Sequence, residues 1–427
     1  MGRRGGVVIP LHGIASRSDL PLPFGLVVAG GAVVLIITFW VAIFAWKRPR
    51  FQEQQGRELP RLTRLVDSPV VSRTLRVVVA LVWMLMAAAL FFGVDRIDNP
   101  VLGFVYVMVW VGLVPLALLL GQVHRRTNPL RLLLRFRGAT APAPFQSAAS
   151  VLPAALALLA FLYLELVQPG GATVPVLRWF AVGWLVWVTA GVLLRGQRWI
   201  QQAEPFEAYA TTVAHMSPWA RNARGVILWT NPVRNLASWR APRHLALLAS
   251  VLLGGTLFDA LSNTGLWVRG TQELDGWLWP VSTLALLAAV TLIYGLFWLG
   301  TRPYRGLSMD ALAPGLVPLV VGYALSHYGT MLYLEGQRTL IRFSDPLGRG
   351  WNLFGTIEAA PDTALFMYPT FIAVAQVLLI VGGHALGVLV THDIALRSAP
   401  AQLRIHLPLL TMMVVFTVGG LLLMFGG

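Results

Sequence analysis

The sequence predicts an all-α polytopic membrane protein, and three observations carry that prediction. About ten apolar stretches, each of roughly 18 to 24 residues, fill most of the chain, and each is long enough to cross a hydrocarbon core about 30 Å thick. Of the 427 residues, 56% are hydrophobic and 12% charged, where an ordinary soluble domain carries about 25% charged residues. Lys and Arg, 33 against 18 Asp and Glu, gather in the short segments between apolar stretches, as topology signals do. That clustering assigns the net charge of +15 to membrane orientation, so the expected partner is the lipid bilayer and no nucleic acid. Cysteine is absent, which excludes disulfides, thiolate zinc sites, iron–sulfur ligation and cysteine nucleophiles.

Taken in order, the first thirteen residues have a basic start but no apolar segment with a small-residue cleavage site, so no cleaved signal peptide is expected. Spans are predicted at residues 24 to 46, 77 to 94, 101 to 121, 150 to 167, 176 to 195, 244 to 262, 278 to 299, 315 to 335, 368 to 390 and 407 to 425. Trp277 and Trp279 sit where headgroup-level aromatic anchors belong. Of the Lys and Arg residues, 24 fall on the side holding Lys47 to Arg76, Arg125 to Arg137, Arg195 to Arg243, Arg302 to Arg305 and Arg397 to Arg404. The excess faces the cytoplasm, which puts both termini outside. The chain is read as one integral membrane domain, 1–427.

Two connections exceed the few residues that usually join helices: an inner loop, 196–243, and an outer loop, 336–367. In the inner loop Phe206, Tyr209, Val213 and Met216 recur at three- and four-residue spacing, which predicts an interfacial amphipathic helix. GVILWTNP follows as a β-like run able to form a hairpin. TNPLR at 127–131 and TNPVR at 230–234 are either the trace of a duplication or two generic helix starts.

The residues that stand out for chemistry are ionisable groups in apolar surroundings, because a charge at the centre of a membrane helix costs about 2.5 kcal/mol or more. His327 and His384 lie within a turn or two of mid-span, and Gly383 with Gly387 gives a small-residue face beside His384 that allows close helix approach. The two histidines are expected to share one site; the alternative for each is a neutral ring bonded to a neighbouring polar group. His392, eight residues beyond His384, is too far along the helix to share a metal with it. Asp393 at the inner membrane surface is placed to orient the His392 ring, or the pair is a solvated helix end. Asp259, Glu165 and Glu335, with His12 from the N-terminal segment, are candidates to line an outward vestibule leading to His327, or else interfacial acids. SDPLGRGWNLFGT at 344–356, with Asp345, Trp351 and Asn352, is a lid over that vestibule or a cap on the helix ends.

The stretches LHGIASRSDLPLP, PFEAYATTVAHMSPWARN, LLGGTLFDALSN, SDPLGRGWNLFGT and GHALGVLVTHDIAL together resemble a family of actinobacterial multi-pass membrane proteins often labelled fenitrothion hydrolase. The resemblance implies a bacterial cytoplasmic membrane and phosphotriester hydrolysis, and it assigns no catalytic residue.

Four functions compete. The leading one is a transporter or permease in which His327 and His384 bind a proton, a metal ion or a small solute, with the glycine pairs Gly30–Gly31, Gly254–Gly255 and Gly382–Gly383 permitting close packing or helix breaks. The second is a membrane-embedded hydrolase using a divalent transition metal held by His327, His384 and Asp259. A haem or redox subunit with the two histidines as axial ligands is the third. The fourth is a subunit of a larger complex or homo-oligomer docked through the inner loop. Whether the chain is an enzyme is left open.

Overall fold

The computed structural model describes residues 17–133, 149–274, 276–398 and 402–425. Apolar runs become helices because only a helix satisfies its own backbone groups in lipid. Eight described helices are long and apolar enough to cross a membrane, and a bent pair makes a ninth. In chain order the main helices are α1 (Phe24–Ala45), α2 (Pro69–Phe92), α3 (Pro100–Val109), α4 (Leu113–Leu120), α5 (Leu152–Leu166), α6 (Val174–Arg195), α7 (Arg198–Ala203), α8 (Pro205–Ala214), α9 (Leu245–Ser262), α10 (Leu278–Thr301), α11 (Val317–Arg342), α12 (Pro369–Ala395) and α13 (Leu403–Phe425).

The predicted span at 101–121 is a pair, α3 and α4, bent by 48°. Pro115 has no N–H to give the Val111 carbonyl and its ring crowds that oxygen, so the helix fails at Trp110–Gly112. The six residues before the break, Phe104–Val109, are wound as π-helix. The span predicted at 150–167 is the 15-residue α5, about 22 Å long, short of the hydrocarbon thickness. α2 starts earlier than predicted because Ser68 caps it, its hydroxyl accepting the Val71 N–H at 3.3 Å, with Pro69 at the first helical position. α11 runs on to Arg342, so Glu335 lies within the helix.

The connection 196–243 holds the predicted hairpin: β2 (Trp219–Arg221) pairs antiparallel with β3 (Ile227–Trp229), and β1 (Arg57–Glu58) adds on the other side of β3. The predicted amphipathic helix forms as α8, but it does not lie on a surface. All ten of its residues are buried, against α4 and α5. TNPLR and TNPVR take the same local form: Asn128 and Asn231 each accept backbone N–H groups two residues on, ahead of a proline that begins a short helix. Both segments serve as helix starts.

α9 and α11 form the centre. In their most apolar stretches 72% and 78% of residues are buried, against 17% in the peripheral α2 and α6. α11 meets α12 along the small-residue face the sequence predicts. A Cβ at Gly383 would strike the Pro318 carbonyl oxygen, and one at Gly387 the Gly315 carbonyl oxygen, so only glycine lets these backbones approach so closely. The glycine pairs at 30–31, 254–255 and 382–383 lie in continuous helices and break none of them.

Candidate functional site

Asp259 lies on α9, one turn from the helix end, and is 4% exposed. Its neighbours come from α11. The Tyr328 hydroxyl donates to Asp259 Oδ2 at 2.7 Å, and His327 Nε2 lies 3.0 Å from the same oxygen. The other carboxylate oxygen accepts from Asn263 Nδ2 at 3.2 Å. His327 is 3% and Tyr328 2% exposed, and their rings meet edge to face, with centroids 4.6 Å apart. Consecutive residues on a helix point about 100° apart, and both reach one oxygen because Asp259 faces the α9–α11 seam. With Asp259 ionised, Nε2 carries the proton and donates. One added proton can sit on the Asp259 carboxyl, with the neutral ring in its Nδ1–H tautomer accepting at Nε2, or on the ring as an imidazolium donating to the carboxylate, so the pair can hold one extra proton in either of two places.

Glu165, on α5, belongs to the same neighbourhood. It interacts electrostatically with Asp259, Tyr209 and Tyr328. Its Oε2 is shut off from solvent and has no hydrogen-bond partner among the described residues. Beside the Asp259 centre is a cavity of about 10 Å³ lined by Trp110, Tyr209, Thr256 and Tyr328, among others, room for about one water. The break between α3 and α4 puts Trp110 there, and the burial of α8 puts Tyr209 there, with the two ring centroids 5.2 Å apart. The sequence reading thus gains Tyr328, Tyr209 and Trp110.

The other predicted residues lie apart from this centre or serve the frame. His384 is 3% exposed and its Nδ1 bonds the Ile380 carbonyl at 2.7 Å, one turn back on its own helix. Glu335 pairs with Arg338 at 2.6 Å on a partly exposed face of α11. Asp393 does not orient His392. It accepts from Trp46 Nε1 at 3.1 Å and from the Arg50 and Phe51 backbone N–H groups at 2.6 and 3.2 Å, fixing the chain as it leaves α1. His392 Nε2 instead donates to the Trp46 carbonyl at 2.9 Å. Asp345 accepts from the Arg349 and Gly350 N–H groups, and Asn352 from that of Ile357. Through Ser344 and Thr356 their loop is fastened to the end of α11, as a cap would be, with Trp351 exposed. His12 lies outside the described residues.

For a metal, the test is whether three donors converge. Among the described residues no three His, Asp or Glu side chains do. His327 and Asp259 face one another, and His384 is engaged within α12, so the set His327, His384 and Asp259 does not fit a metal. The nitrogen that His327 would offer a haem iron, Nε2, is likewise taken by Asp259.

A second polar cluster, where the segment 124–131 that follows α4 meets the start of α8, escaped the sequence reading. Glu207 is fully buried and accepts both Arg131 Nε at 2.6 Å and Arg131 Nη2 at 2.5 Å. Asn128 Nδ2 bridges Glu204 and Glu207 at 3.0 and 3.1 Å. Glu204 caps α8, accepting the Phe206 and Glu207 N–H groups. Burial, and then the Glu207 charge, push the Glu204 carboxyl up to about 8. Burial also holds His124 down at about 4, and His215, stacked 3.9 Å above Trp239, at about 4. The cluster anchors the end of α8 whose other residues reach the Asp259 cavity.

No protein-family model, curated protein or solved structure matches this chain. Fold and site define a mostly helical candidate multi-pass membrane protein with a buried His–Asp pair between its two central helices.

Proposed function

We propose that the protein is a proton-linked permease for a small solute or ion, with Asp259 and His327 as the pair that takes up and releases the proton and Tyr328 holding the carboxylate in place. The observation that carries this reading is the placement of Asp259, buried between the two most buried helices and bonded across their seam to a titratable ring. An ionisable group in a membrane interior is a functional feature by default. A bent helix beside a wholly buried half-length helix also supports it, since transporters build central sites from discontinuous helices. If the bent pair is one crossing and α5, although shorter than the hydrocarbon thickness, is another where the bilayer thins around it, the count is ten, and the distribution of Lys and Arg then favours both termini outside the cytoplasmic membrane.

The test is proton flux into proteoliposomes carrying a trapped pH-sensitive dye under an imposed pH gradient. Wild type is expected to carry protons and Asp259→Asn to lose at least tenfold of the rate, while Glu335→Gln stays near wild type. Equal flux through wild type and Asp259→Asn would rule the proposal out.

A further inference from the structure

We propose that Glu165 loads the Asp259–His327 pair, taking a proton from the side of the membrane reached by the Pro169–Gly170 turn and handing it to the Asp259 carboxylate. The backbone fixes where Glu165 stands. Ser150 and Arg243 form a parallel bridge, the Val151 N–H donating to the Arg243 carbonyl at 3.0 Å and the Arg243 N–H to the Ala149 carbonyl at 3.1 Å, so α5 and α9 begin at one level. Glu165 and Asp259 each lie about 20 Å along from those starts, hence at one depth. The two helices touch where Leu162 lies against Gly255. Glu165 and Asp259 come three and four residues later, which keeps both on the facing sides. Glu165 is half-buried and lies one turn before the exposed Pro169–Gly170 turn, while its Oε2 is closed to solvent and has no hydrogen-bond partner among the described residues.

The surroundings of Glu165 select a proton as what it carries. Tyr106 from α3, Tyr209 from α8, Asp259 from α9 and Tyr328 from α11 are all within electrostatic range of it, and His327 stands behind Asp259. No Lys or Arg forms an ion pair with Glu165 among the described residues. Two carboxyls so placed, with no cation between them, are set to hold one proton between them. Tyr106 donates to the Gly171 carbonyl at 2.7 Å, so these groups run from the loop after α5 inwards to Asp259. The step is a single proton transfer: the proton leaves the Glu165 carboxyl and binds the Asp259 carboxylate, and Glu165 is left ionised to receive the next one from solvent. This inference rests on the proton-carrying reading of Asp259 and adds the group that feeds it.

The experiment is the proteoliposome proton-flux assay on Glu165→Gln and Glu165→Asp, paired with pH-difference infrared spectra of the same purified full chains. Glu165→Gln is expected to lose at least about tenfold of the flux at an unchanged melting temperature, and Glu165→Asp, which keeps the carboxyl, to recover part of it. Wild type should show a carboxyl C=O band that grows as pH falls, is missing from Glu165→Gln and persists in Asp259→Asn. Wild-type flux in Glu165→Gln, with Asp259→Asn inactive, would overturn this proposal and leave Asp259 as the carrier. A flux loss matched by a lower melting temperature and an unaltered spectrum would overturn it too, by making Glu165 part of the frame. Equal flux in wild type and Asp259→Asn would overturn both readings.

Discussion

Tyr328 donates a 2.7 Å hydrogen bond to Asp259 Oδ2, the same oxygen that faces His327. The phenol therefore holds the carboxylate in place beside the ring. Tyr328→Phe removes that restraint and one hydrogen bond to a charged group, typically about 1.5 to 3 kcal/mol. Thermal unfolding in detergent should show the loss, with proton flux reduced rather than abolished. Flux as low as in Asp259→Asn would make Tyr328 a carrier instead.

The Arg131–Glu207 pair is a frame element, and breaking it leaves a buried carboxylate with less compensation. Arg131→Ala should cost about 3 to 5 kcal/mol. Arg131→Lys should rescue only in part, because an ammonium cannot give the paired donors that Nε and Nη2 supply. Arg338→Ala, at a half-exposed pair, should stay within about 1 kcal/mol of wild type. Chemical unfolding of the three variants checks the order.

Glu204 gives stability a pH slope. Its carboxyl is raised to about 8 by burial and by Glu207, so between about 4.5 and 8 the folded chain binds more protons than the unfolded one. The stability this group contributes is full below its unfolded value and is lost as pH rises through 8. Melting temperatures from pH 5 to 9 should fall with pH, and Glu204→Gln should flatten that slope. Asp67 acts oppositely at low pH. The Arg221 and Arg126 guanidiniums hold it at about 2, so its contribution is present above about 4 and lost as pH falls towards 2.

At the crossing of α11 and α12, Gly383→Val must push the Pro318 carbonyl away. A loss of about 1 to 3 kcal/mol is expected for such overpacking. Gly382→Ala, with nothing within 4 Å of its new Cβ, should be neutral or slightly stabilising. Thermal shift on both variants separates packing at this seam from general intolerance of the helix.

Asp259 and His327 were legible in the sequence because ionisable residues are rare in apolar runs. Their convergence was not legible, since 68 residues separate them and helix packing alone decides which faces meet. Tyr328 gave no signal beyond being one of nine tyrosines. The break between α3 and α4 had a signal in Gly112 and Pro115, which averaging hydropathy over twenty residues conceals. α8 had one too: PFEAYATTVA carries no Lys or Arg on its polar face, unlike a helix that lies on a membrane surface. The three- and four-residue spacing gave the helix correctly, and its full burial follows from α4 and α5 packing around it. His384 looked like His327 by depth, yet its bond stays within its own turn. The loop at 344–356 read correctly as a set of specific turns, because Asp345, Asn352 and the glycines act locally.

The central claim is that Asp259 and His327 work as one proton-bearing unit. A double-mutant cycle on proteoliposome proton flux tests it most directly, using Asp259→Asn, His327→Gln and the pair together. Residues that act as a unit are strongly non-additive, so the double variant should be no slower than the slower single one. Losses that multiply, or a wild-type rate in His327→Gln, would contradict the account.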